Sequence, residues 1–145
     1  APDDPDSHYL FAVALMTFGR FQDAVEPARI ALRLNPNDLP TVQFAALIFE
    51  ATSHKEEAFG AFQRGAELGD PLLMFDLAMA YAEGRGTARD DRASFDWLTR
   101  AAEKGHVTAM VMVSEIYRDG RAGVAPDSGR AAYWATRAKA EGAGD

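Results

Sequence analysis

The 145-residue chain contains no cysteine. That absence removes any disulfide framework and any thiolate metal site. No uninterrupted apolar run is long enough to span a bilayer, although 48% of the residues are hydrophobic, enough to build a core. Basic residues are scarce: 15 Lys and Arg stand against 22 Asp and Glu, for a net charge of -7. The deficit sits in the first half, where residues 1–70 hold 5 basic and 11 acidic side chains while residues 71–145 hold 10 and 11. Nucleic-acid affinity comes mainly from cationic side chains that displace condensed counterions, so such a surface excludes nucleic acid as a partner. No segment carries the alternating pattern of a strand.

Groups that could support catalysis are equally thin. The three histidines, His8, His54 and His106, fall at expected helix starts or hairpin turns, where capping or surface roles suffice. Zinc sites bring together three or four such ligands, so no metal site is expected. Gly84-Arg85-Gly86 follows a helical pattern rather than a strand and lacks the rest of a phosphate-binding fingerprint, so it reads as helix termination. The pairs Asp90-Asp91 and Glu56-Glu57 sit in first helical turns, where carboxylates complement the positive end of the helix dipole. Without a convergent acid/base set the expectation is no catalytic residue, no cofactor and no enzyme activity.

What the chain does contain is an internal echo. Residues 70–105 are written a second time over 106–142: Tyr81 and Tyr117 lie 36 apart, as do Gly84 and Gly120, while Gly86/Gly123, Asp90/Asp127, Trp97/Trp134, Ala101/Ala138 and Gly105/Gly142 lie 37 apart. One residue is inserted in the loop. The first half carries a looser period of 34, with Ala12, Leu15, Gly19, Phe21, Ala24 and Ala31 answered by Ala46, Phe49, Ser53, Lys55, Ala58 and Gly65. A fixed period of this size marks a stacked array in which each unit buries its apolar face against its neighbours.

Local signals predict eight helices. The first spans 7–18 and stops at Gly19; the second spans 21–34, with a bend at the internal Pro27. Asn35-Pro36-Asn37-Asp38 stops it and caps a third over 40–51, and a fourth follows over 55–67. Gly69-Asp70-Pro71 starts a fifth over 71–82, apolar nearly all round: Leu73, Leu77, Ala80 and Tyr81 on one face, Leu72, Phe75 and Met79 on another. The sixth is capped by Asp90 or Asp91 and runs to 104; the seventh and eighth cover 106–118 and 128–140.

These landmarks resemble the tetratricopeptide family, degenerate in its second copy, and from Asp70 onward its Sel-1-like variant. The longer hairpin loops Gly84–Asp90 and Gly120–Asp127, and the signatures Trp97-Leu98-Thr99-Arg100-Ala101-Ala102 and Trp134-Ala135-Thr136-Arg137-Ala138, carry that likeness. The resemblance implies a single all-α repeat domain, a right-handed α/α superhelix of about four helix-turn-helix units: a frayed start at 1–6, then repeats at 7–38, 39–69, 70–105 and 106–142. Lack of cysteine separates the chain from cysteine-rich secreted members of the family. Many bacterial members are exported, and a start at Ala1-Pro2-Asp3 without an initiator methionine fits a mature or trimmed end, so a periplasmic or extracellular location is expected ahead of the cytoplasm. Trp97 and Trp134 are expected to be packing residues between paired helices.

In this family the first helix of each pair lines a concave groove. The matching positions here are Tyr9, Val13 and Met16, then Gln43, Leu47 and Glu50, then Phe75, Met79 and Glu83, then Val111, Glu115 and Arg118. Such a groove suits a peptide or amphipathic helix of another protein, because methionine and aromatic side chains adapt to an apolar segment. The expected function is a non-enzymatic interaction scaffold or adaptor. The alternative is a module for cell-wall glycan or glycopeptide, with Tyr9 and Phe75 stacking on sugar faces. Residues 43, 47 and 50 are not the Lys, Arg and Asn of a carboxylate clamp, which speaks against terminal-carboxylate capture. Finally, the eighth helix carries Ala131, Ala132, Tyr133, Trp134, Ala135 and Ala138, so its outer surface is expected to join further repeats or to pair weakly with another copy.

Overall fold

A computed structural model describes residues 4–142. Within that span there are eight α-helices and no strand: α1 (Pro5–Thr17), α2 (Phe21–Leu34), α3 (Leu39–Ala51), α4 (Lys55–Glu67), α5 (Pro71–Glu83), α6 (Asp91–Glu103), α7 (Val107–Asp119) and α8 (Ser128–Ala140). They form antiparallel hairpins of an all-α repeat fold, which pack as two compact units, 1–68 and 69–145. The division falls beside the expected border between the second and third repeats. Residues 1–3 and 143–145 lie outside the described residues, and with them half of the segment expected to be frayed.

In the first unit α1 opens two residues earlier than expected, because Asp4 supplies the cap: its carboxylate accepts from the Asp6 and Ser7 amides, and Pro5 takes the first helical position. Similarly, Asp38 accepts from the Thr41 amide at 3.0 Å and starts α3 at Leu39, one residue before Pro40. Pro27 lies within α2 and is buried alongside Ala24, Val25, Ala28 and Ala31. The turn before α4 places Ser53 at φ 62, the left-handed conformation that Gly19 adopts at φ 72 in the preceding hairpin. Phe49, Ile48 and Val42 are the large side chains fully buried in this unit. A forked ion pair ties α2 to α4: Arg29 donates to both Glu57 oxygens at 2.7 and 2.6 Å and also pairs with Glu26. These hydrogen bonds hold the Glu57 carboxyl below the usual carboxylate range.

The second unit contains the repeated sequence, and its two hairpins close alike. Gly84 and Gly120 cap α5 and α7 in the left-handed conformation, at φ 67 and 68. The Asp90 amide then donates back to the Tyr81 carbonyl at 2.9 Å, and the Asp127 amide to the Tyr117 carbonyl at 2.8 Å. The same aspartates cap α6 and α8, accepting from the Ala93 amide at 3.0 Å and the Arg130 amide at 2.9 Å. The extra residue of the second loop is accommodated near Ala122, a non-glycine at φ 55. Leu77, Leu98, Met110 and Val113 are the large side chains fully buried here. Helices α5 and α7 each end one residue beyond expectation, and α6 ends one residue short of Lys104.

Trp97 and Trp134, both expected to pack between paired helices, differ in depth. Trp134 is buried, at 7% exposure, with the Tyr133 ring edge-on at 5.1 Å. Trp97 is only half-buried, and the Arg100 guanidinium lies 4.5 Å from its ring centroid. Its matched place in the repeat does not carry matched burial.

Candidate functional site: the exposed faces of the first helices

A helical position seven residues on returns to nearly the same face, so Tyr9, Val13 and Met16 form one stripe on α1 and Gln43, Leu47 and Glu50 one on α3. None of the six is buried. Tyr9 leans edge-on against Phe44 of α3, with ring centroids 5.3 Å apart, which links the two helices at the start of their stripes. Leu47 is 50% exposed in the middle of α3, flanked by the exposed Gln43 and Glu50.

On the second unit the stripe of α5 is Phe75, Met79 and Glu83, and that of α7 is Val111, Glu115 and Arg118. Again none is buried. Phe75, however, is already engaged: the His106 imidazole stacks on its ring at 4.4 Å between centroids and 11° between planes. The same histidine caps α7 by accepting the Ala109 amide on Nδ1 at 3.2 Å. Burial holds its pKa below the ordinary imidazole value, against the opposing pull of its backbone hydrogen bond and the Asp70 carboxylate. Glu83 pairs with Arg85 at 2.8 Å and Arg118 donates to Asp119 at 2.9 Å, so the charged ends of both stripes are held. Val111, 37% exposed, is the freest apolar side chain of this pair of stripes.

Two clefts in the second unit were not foreseen from the sequence. One, of about 260 Å³, lies where α6 and α7 meet the hairpin loops, lined by Arg89, Asp91, Ser94, Phe95, Glu115 and Arg121. Its arginines are already paired, Arg89 with Asp91 at 3.0 Å and Arg121 with Asp119 at 3.5 Å. The other, of about 240 Å³, runs between α7 and α8, lined by Val111, Ser114, Arg118, Ala135, Ala138 and Lys139. Ser114 donates across it to the Ala131 carbonyl at 2.7 Å. The sequence signal for the first is the hairpin-loop arginines Arg89 and Arg121; for the second it is the run of alanines in α8.

The remaining histidines do not join His106. His8 lies in the first turn of α1, and His54, which precedes α4, pairs through Nδ1 with the Thr52 hydroxyl at 2.8 Å. Among the described residues no group of three His, Asp or Glu side chains is placed to hold a metal, and no helix is long and apolar enough to cross a membrane. On α8, Ala131, Trp134 and Ala138 are buried, so the apolar surface left outside narrows to Ala132, Tyr133 and Ala140, with Ala135 half-buried.

Helical hairpins that recur at a fixed spacing define a helical-repeat protein. The chain belongs to the Sel1-like repeat proteins: the Sel1 repeat pattern matches residues 71–106 and 107–142. Its fold is similar to that of a Sel1 repeat protein from Oxalobacter formigenes, with a TM-score of 0.69 at 22% identity over 94% of this chain and 57% of that one. A protective antigen present in uropathogenic Escherichia coli strains matches with a TM-score of 0.79 at 20% identity, over 97% of this chain and 31% of the antigen. Helicobacter pylori cysteine rich protein B matches at 0.65 and 19% identity, over 86% and 90%. In sequence, 77 residues are 30% identical to an F-box protein of Arabidopsis thaliana, 53% of this chain but 21% of that relative. The chain thus spans a fifth of the curated relative's length. Sel1 repeats generally serve as non-catalytic scaffolds that bind other proteins.

Proposed function

We propose that the chain is a protein-interaction scaffold that holds a peptide or amphipathic helix of a partner protein against the exposed faces of its first helices. The observation that carries this reading is made in each unit by itself: Leu47 of α3 is kept 50% exposed in the first, and Val111 of α7 37% exposed in the second. Exposed apolar anchors ringed by polar residues are the usual centre of a protein contact, where a few side chains supply most of the binding energy. Phe75 and Met79 flank such a contact on α5; the stack with His106 makes Phe75 a wall rather than the central anchor.

The test is capture from an extract of the source organism by the parent chain and by a Leu47→Asp/Val111→Asp variant. Both positions are at least partly exposed, so helical content should hold while capture is lost. An unchanged set of captured proteins would place binding on another face. Retention of cell-wall glycan fragments with no protein captured would favour the glycan module instead.

A further inference from the structure

The N-cap residues Asp4, Asp38, Asp70 and His106 put the four first helices in one register. Seven residues after the cap stand Ala45, Leu77 and Val113 in α3, α5 and α7, exposed by 0%, 1% and 0%. The same position in α1 is Phe11, 57% exposed. Ten residues after the cap, Ile48, Ala80 and Ile116 are buried while Ala14 is exposed. Helix α1 therefore carries, enlarged to an aromatic, the face that every later first helix buries, and nothing among the described residues covers it.

A matching seat lies on the second unit. Counted from their caps, Val111, Ser114 and Arg118 of α7 and Ala135, Ala138 and Lys139 of α8 correspond to Phe75, Ala78 and Ala82 of α5 and Leu98, Ala101 and Ala102 of α6. Leu98, Ala101 and Ala102 are buried, and α7 packs on the hairpin that carries them, with His106 stacked on Phe75 and Tyr117 edge-on to Phe95 at 5.5 Å. The cleft of about 240 Å³ between α7 and α8 is thus the open copy of a seat that α7 itself fills one repeat earlier.

Charge selects the occupant. In the filled seat, the incoming helix begins beside the last turn of the preceding second helix, since His106 follows Lys104 by two residues. A helix seated likewise on α7 and α8 would place its N-terminus by Lys139 and by Arg137, the latter already paired with Glu141 at 3.3 Å, on a helix with three basic and no acidic residues of its own. Residues 1–19 offer Asp3, Asp4 and Asp6 and no Lys or Arg. We propose that the seat between α7 and α8 takes α1 of a second copy, with Phe11 entering the cleft and the acidic start of α1 meeting the basic end of α8. This is a head-to-tail contact, so it uses different surfaces on the two copies and propagates into chains of copies rather than stopping at a symmetric pair. It shares Val111 and Arg118 with the proposed partner-binding face of α7, but Phe11, Ala135 and Lys139 lie outside that face, so variants at these three test it separately.

The experiment is sedimentation of the chain over a wide concentration range, alone and as variants. The parent's weight-average mass should climb past the dimer as concentration rises and fall back in high salt, which screens the exposed charges. Phe11→Lys blocks only the α1 side, and Ala135→Glu/Lys139→Glu blocks only the seat; each variant alone should be monomeric, with self-affinity reduced about tenfold or more. Mixed, the two should form a strict one-to-one complex, because each retains the surface that the other lacks. Circular dichroism matching the parent confirms that both are folded. A parent that is monomeric at every concentration, a parent mass that levels off at the dimer, a Phe11→Lys variant that still associates, or a mixture that stays monomeric overturns the proposal.

Discussion

The His106 imidazole stacks on the Phe75 ring at 4.4 Å while its Nδ1 accepts the Ala109 amide at 3.2 Å, so one side chain both starts α7 and fastens it to α5. The cap requires an unprotonated Nδ1, and burial favours the neutral ring.

The folded-state pKa of His106 lies below its ordinary value of 6.5, so between the two values the unfolded chain binds more protons than the folded one. This group's contribution to stability is therefore complete above pH 6.5 and is lost as pH falls below it toward the folded-state pKa. His106→Asn retains a capping oxygen without a titrating ring. Urea denaturation at neutral pH and roughly two units lower should show the parent losing more stability than the variant. Equal losses would mean that the ring is not held neutral by its site.

Trp134→Ala should cost about 3–5 kcal/mol, the range for emptying a buried aromatic site. Trp97→Ala should cost clearly less, about 1–3 kcal/mol, because the ring is only half-buried and one face is shared with Arg100. Chemical denaturation of the two variants under identical conditions checks the order. Equal losses would mean that repeat position rather than burial governs the energy.

Gly84 and Gly120 occupy the same hairpin position at nearly the same φ, yet their surroundings differ. A Cβ on Gly120 would lie 2.5 Å from Pro126 Cγ and 2.6 Å from Cδ, whereas a Cβ on Gly84 would meet nothing closer than 3.4 Å. Both alanine variants bear the left-handed strain of about 1–2 kcal/mol. Gly120→Ala should exceed Gly84→Ala by about 1 kcal/mol or more, since the proline ring and its loop must shift. Thermal melts that rank them the other way would contradict the closeness of the second loop.

The helices were legible because their signals are local. Asp38 and Asp70 start α3 and α5 as the sequence signals them, Asp90 rather than Asp91 caps α6, and α2, α4 and α8 have the expected bounds. The first helix begins two residues before its expected start because Asp4-Pro5, an acid before a proline, is itself a starting signal. The twelve residues of the first-helix stripes all lie unburied on α1, α3, α5 and α7. What the period could not convey was the company each side chain keeps. Phe75 stacks on a histidine from the next hairpin, and Trp97 and Trp134 share a place in the repeat but not a depth. Such contacts depend on residues about a repeat away, and a pattern that repeats imperfectly does not specify them.

The most direct test of a partner-binding face is site-specific photocrosslinking. A photoreactive amino acid at Leu47, on the exposed stripe of α3, is compared with one at Gln63, an exposed position on the second helix of the same hairpin. Irradiated in an extract of the source organism, the Leu47 probe should yield a discrete protein adduct that the Gln63 probe does not, and excess unlabelled parent chain should suppress it. Equal adducts at both positions, or a protein adduct at Gln63 alone, would contradict the assignment of binding to the first-helix face.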